Sequence, residues 1–146
     1  MSNQKKAEAK MSVRVTRRFD FPAEQVFDAW LDPDKVGKFL FKTPDGVMTQ
    51  VEINACVGGK FFIAEKREES EVEHVGEYLE IDRPHRLVFT FGVPRYSEEM
   101  TVVTIDITSE GDGCELNLLH EGVLPEWTER TLEGWGKILQ TLNSIL

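Results

Sequence analysis

The chain of 146 residues is poor in the groups that metals and disulfides need. It has two cysteines, Cys56 and Cys114, and neither sits in a CxxC pair. Two thiols cannot build a disulfide scaffold. The three histidines, His74, His85 and His120, are widely spaced and form no HExxH, so neither a closed metal site nor a cofactor is expected. No GxSxG elbow is present, and Gly58-Gly59 reads as a turn between strands rather than a phosphate cradle. Basic residues are the minority, 17 Lys+Arg against 26 Asp+Glu, for a formal net charge of −9. That balance argues against nucleic acid or an anionic membrane as the main partner. No apolar run approaches the ~20 residues of a membrane span. The opening MSNQKKAEAKMS lacks the apolar core of an export signal, so a reduced, cytoplasmic protein is expected.

What is present is a globular composition, 40% hydrophobic and 29% charged. Residues 1–12 have no apolar period and read as a flexible tail, followed by one domain over 13–146. Val13, Val15 and Phe19 alternate with polar residues as a half-buried strand does. Pro22 suits a first helical turn, with Asp20 as a possible cap. Val26, Phe27, Trp30 and Leu31 make one apolar stripe. Asp32-Pro33 ends that helix, and Asp32 is placed to cap a second one running toward Phe41.

From Met48 to Glu121 strand patterns follow one another, separated by Gly58-Gly59, the acidic tract 68–71, Arg83-Pro84-His85, residues 92–98 and Gly111-Asp112-Gly113. After Pro125 the period becomes helical. Trp127, Thr131, Trp135, Ile138, Leu142 and Ile145 recur at three- and four-residue steps over about five turns. Gly134 and Gly136 flank Trp135 and suggest close packing against the helix there. Short connections imply an antiparallel sheet, and one long amphipathic helix covers its apolar face only if the sheet curves around it. The expected class is α+β: a helix-grip fold of about seven strands, with two short helices after strand one.

These residues resemble a known group. Phe21 to Trp30 with Asp32-Pro33, Val57-Gly58-Gly59-Lys60-Phe61, Gly76 to Ile81 through Pro84 to Phe91, Thr101 to Ile105, His120-Glu121-Gly122 and Glu133-Gly134-Trp135 follow its order and spacing. The chain resembles the START/birch-pollen-allergen (SRPBCC) superfamily. Within it, the similarity is to proteins related to the C-terminal domain of the activator of the 90-kDa heat-shock protein ATPase. The resemblance implies a helix-grip fold and a habit of holding apolar molecules; it implies no single reaction.

The expected function is non-catalytic binding of a lipid-like or aromatic, polyketide-like molecule between the sheet and the C-terminal helix. Candidate cavity residues are Trp30, Tyr78, Phe89, Phe91, Tyr96, His120, Trp135 and Leu139, with none assigned to catalysis. His120 shares a strand face with Leu116 and Leu118, so it reads either as a core-edge group satisfied by a neighbour or as an acid/base group near neutrality. Glu65 shares a face with Phe61 and Ile63, which places it at a strand end in water or in a site. Two alternatives stand beside this reading: a chaperone-linked protein-interaction module using the acidic surface, and a cyclase- or hydrolase-like enzyme. Monomer and homodimer are both compatible with the pattern.

Overall fold

The computed structural model describes residues 9–68 and 70–146; the first eight residues of the expected tail, and Glu69 of the expected hairpin tip, lie outside the described residues. Seven strands form one curved antiparallel sheet: β1 (Met11–Phe19), β2 (Val47–Ile53), β3 (Lys60–Arg67), β4 (Ser70–Asp82), β5 (Arg86–Phe91), β6 (Thr101–Glu110) and β7 (Gly113–Val123). Their order is β1-β7-β6-β5-β4-β3-β2. Consecutive hairpins lay down β2 to β7 side by side, and β1 closes onto the last of them. Two short helices, α1 (Ala23–Ala29) and α2 (Pro33–Phe39), follow β1. A 3₁₀ turn at Pro125–Trp127 leads into α3 (Thr128–Ile145). This is the α+β helix-grip arrangement that the periodicity predicts. No helix among the described residues is long and apolar enough to cross a membrane.

The alternation along the strands builds the inner face directly. Leu87 pairs with Ile105, which pairs with Leu118; Phe89 pairs with Val103, which pairs with His120. All six side chains are buried. Trp135, Leu139 and Leu142 of α3 cover them, so the helical and strand periods meet in one core. Each large apolar side chain buried there contributes ~1.5–3 kcal/mol relative to exposure.

Local details depart from the sequence pattern where tertiary partners decide. β1 starts at Met11, because Met11 and Ser12 find partners in Val123 and Glu121 across an irregularity. Asp20 caps nothing: it pairs with Arg18, and α1 begins after Pro22 without a side-chain cap. Asp32 does cap α2, accepting the Asp34 N–H at 3.0 Å. That helix stops at Phe39. Phe41 then takes φ 61, a left-handed conformation uncommon for an aromatic residue.

The expected close packing at Gly134 and Gly136 is absent, since a Cβ at either would meet nothing within 4 Å. Trp127 likewise leaves the buried stripe. It is 40% exposed, with the Arg130 guanidinium 5.1 Å from its ring centroid.

Two stability outcomes follow from this packing. Trp135→Ala removes a side chain only 3% exposed and should cost ~3–5 kcal/mol. A melting temperature within a few degrees of the wild type would show that the ring carries little of the core. Gly134→Ala and Gly136→Ala should instead raise stability, by up to ~1 kcal/mol each, because alanine restores helix propensity without a clash. Urea melts of the two variants measure this directly, and a loss would mean that the space beside them is not open.

Candidate functional site

The space between α3 and the sheet is crossed by a wall of rings. His120 projects from β7 and Trp135 from α3, and the indole N–H donates to His120 Nδ1 at 3.0 Å. An indole N–H can only donate, so Nδ1 is the acceptor and the proton of the neutral imidazole sits on Nε2. That N–H donates to Thr101 Oγ1 at 2.7 Å, and the threonine hydroxyl donates to the Phe91 carbonyl at 3.0 Å. The ring is fully used. Burial holds His120 down at about 4, from an ordinary value of 6.5.

Phe91 and Phe41 extend the wall. The Phe41 ring lies flat on Phe91, centroids 4.7 Å apart, and flat on His74 at 4.5 Å, with its edge toward Trp135. These stacks hold Phe41 in its left-handed backbone conformation. His74 is 4% exposed and its Nδ1–H donates to the Ile63 carbonyl at 3.2 Å. Burial is the main reason that His74 also stands at about 4; Arg67 lowers it further, while the Ile63 bond and Glu65 act the other way.

Glu65, on the same strand as Ile63, is fully buried rather than in water. Its carboxylate accepts the Thr43 N–H at 2.6 Å, the Thr43 hydroxyl at 2.7 Å and Arg67 Nε at 2.5 Å. Burial pushes its pKa up, but the Thr43 and Arg67 hydrogen bonds outweigh that and leave it below its usual range. The carboxylate thereby staples the segment after α2 to β3. Gly46 is required for this, because a Cβ there would stand 1.7 Å from Glu65 Oε2.

On one side of the ring wall lies a hollow of about 330 Å³, between the β5–β6 connection, the end of β7 and the start of α3. Of the eight candidate residues, Phe91, Tyr96 and His120 meet here, joined by Trp127, Thr131 and Val123. Tyr96 stands at its rim, 65% exposed. Trp30, Tyr78, Phe89, Trp135 and Leu139 sit instead in the packed core, each at most 3% exposed. The Trp30 ring meets Phe39 edge-on at 5.1 Å, and its buried indole N–H has no hydrogen-bond partner among the described residues. Tyr78 packs between Phe61 and Phe89, where burial raises its phenol pKa.

On the other side of the wall a groove of about 600 Å³ runs between α2 and α3, with Phe41 and His74 in its lining. Strand alternation did not mark its residues. The one sequence signal was Lys35, Lys38 and Lys42 at three- and four-residue steps in an acidic chain. Among the described residues no group of three or more His, Cys, Asp or Glu side chains is placed to hold a metal ion.

The two buried histidines make stability pH-dependent. The unfolded chain binds protons on both below 6.5, whereas the folded chain refuses them until about 4. Their contribution is therefore complete above pH 6.5 and is lost as pH falls toward 4. Between pH 6.5 and 5 this amounts to roughly 2 kcal/mol per histidine. Urea midpoints at pH 7 and pH 5 should differ accordingly, and His74→Phe should halve the difference. Equal midpoints would mean that the rings accept protons in place.

Solved structures share this architecture. A protein from Chromobacterium violaceum superposes with a TM-score of 0.84 at 25% identity, over 92% of this chain and 95% of its own. A Staphylococcus aureus protein of unknown function gives 0.85 at 14% identity, covering 94% of each chain. An AHSA1-like protein from Aeromonas hydrophila gives 0.80 at 20% identity, over 92% and 90%. None of the curated proteins compared with the chain matches it. Residues 20–146, from the end of β1 through α3, match the family described as activator of Hsp90 ATPase homolog 1-like protein, and the chain belongs to that family.

Proposed function

We propose that the protein binds an apolar small molecule, lipid-like or aromatic, in the hollow at the start of α3, without transforming it. The observation that carries this reading is the saturation of His120. With Nδ1 held by Trp135 and Nε2–H held by Thr101, the ring can take or give a proton only by breaking a buried bond. It therefore positions the wall and leaves apolar surface for a guest. A volume of about 330 Å³ is at the small end of ligand sites, which typically span ~300–1,000 Å³. Each guest CH₂ buried contributes ~0.8 kcal/mol before the cost of association, enough for micromolar binding by a moderate aromatic compound.

The neutral fluorophore N-phenyl-1-naphthylamine tests this. Its emission should rise on binding with micromolar affinity, and excess compound should raise the melting temperature by mass action. Thr131→Phe, which fills the hollow from the helix side, should weaken binding at least about tenfold, or ~1.4 kcal/mol. Unaltered affinity in that variant would sink the placement, and no binding by a panel of neutral aromatics and acyl compounds would sink the function.

The family description favours a second reading, contact with a chaperone. The exposed carboxylates of Glu68, Glu71 and Glu73 around the β3–β4 turn offer the acidic surface for it. Recovery of the 90-kDa chaperone with the wild type, abolished by Glu71→Lys/Glu73→Lys, would establish that contact.

A further inference from the structure

The groove between α2 and α3 has a charge opposite to that of the chain. Its floor is apolar, made by the Phe41 ring, Pro44 and Ile138, and its rim carries Lys38, Lys42, Arg67 and Lys137 with no carboxylate in the lining. In a protein of net charge −9, such a cluster creates a local positive field. Asp45 and Glu68 line an adjoining polar hollow of about 710 Å³ that shares Thr43, Pro44 and Arg67 with the groove.

The cations differ in availability. Arg67 is already engaged with Glu65 at 2.5 Å. Lys42 Nζ donates to the Thr43 and Gly46 carbonyls, both at 3.1 Å, and an ammonium has a third N–H to give. Among the described residues, Lys38, Lys42 and Lys137 join no ion pair.

His74 supplies the second polar feature. Its Nδ1–H is committed to the Ile63 carbonyl, so in the neutral ring Nε2 carries a bare lone pair. Nε2 has no hydrogen-bond partner among the described residues, although the side chain is more than nine-tenths buried and lines the groove. His74 Nε2 is not one of the fully enclosed unpartnered atoms, so this free acceptor is reachable by a donor from whatever occupies the groove.

We propose that the groove binds a hydroxylated aromatic carboxylate, with its carboxylate among the ammonium groups of Lys38, Lys42 and Lys137, its ring on Phe41 and Ile138, and its hydroxyl donating to His74 Nε2. This site lies across the ring wall from the hollow at the start of α3 and does not depend on a guest there.

Three small fluorescent probes dissect the contacts: 6-hydroxy-2-naphthoate, 2-naphthoate and 2-naphthol, titrated at neutral pH in low salt. The hydroxynaphthoate should bind tightest. Removing the hydroxyl should weaken binding about 3- to 10-fold, the range for one neutral hydrogen bond. Removing the carboxylate should weaken it tenfold or more, as charge-assisted bonds are roughly twice as strong. Lys42→Gln/Lys137→Gln should bring the hydroxynaphthoate down to the affinity of 2-naphthol while leaving N-phenyl-1-naphthylamine binding intact. His74→Phe, which keeps the ring stack, should erase the difference between the two carboxylates.

Thr131→Phe should leave all three probes unaffected; a loss there would put them in the other hollow and overturn the proposal. Equal binding of 2-naphthol and hydroxynaphthoate, or an unaffected lysine variant, overturns the anion site. Should His74→Phe fail to fold, the two carboxylates on the wild type decide the hydroxyl contact, and equal affinity overturns it. If none of the three binds, this groove is not the site, and the reading of the other hollow still stands on its own probe.

Discussion

The hydrogen bond from the Trp135 indole to His120 joins the two halves of the fold. Among the described residues it is the side-chain hydrogen bond that links the middle of α3 to the inner face of the sheet, set in a largely apolar core. Because the indole can only donate, the bond also fixes the imidazole tautomer, and through it the direction of the bonds to Thr101 and the Phe91 carbonyl. Phe91 is placed by that chain, Phe41 stacks on Phe91, and His74 stacks on Phe41. One bond therefore organises the ring wall that separates the hollow from the groove.

The two spaces differ in chemistry because different elements complete them. The hollow is closed by the β5–β6 connection and the turn before α3, whose contribution is mostly apolar or neutral. The groove is closed by α2 and the middle of α3, both of which turn lysines toward it. The segment between α2 and β2 is irregular and would be free to shift, but the buried Glu65 carboxylate holds Thr43 by two bonds. A charge that is costly to bury is compensated by three donors, and the compensation fixes one wall of the groove.

The fold was legible because its signals are local. Period-two alternation in β5, β6 and β7, and the three- and four-residue steps of α3, follow from which face each backbone buries. The site was legible only in part. His120 announced itself as a polar residue on an apolar face, but Trp135 as its partner depends on where α3 lands. Trp30, Tyr78, Phe89 and Leu139 carry the same apolar signal whether they fill a core or line a cavity, and only packing separates the two. Glu65 could not be assigned from its strand, since two of the three donors that make its burial tolerable lie 22 residues away at Thr43. Gly134 and Gly136 are ambiguous for a related reason: a missing side chain fits both a close neighbour and, as here, open space.

The closure of β1 onto β7 has a consequence for biosynthesis. Strands β2 to β7 pair with neighbours that leave the ribosome shortly before or after them, whereas Thr16 meets Asn117 across a sequence separation of 101 residues. Until β7 emerges, Val13, Val15 and Phe19 have no sheet partner, and α1 and α2 have no completed surface to dock on. Long-range closures of this kind fold late and leave apolar edges exposed to other chains in the meantime. Strand β1 is thus the part of the nascent sheet with most need of shielding, and α3, which follows β7 in the chain, is what completes the enclosure.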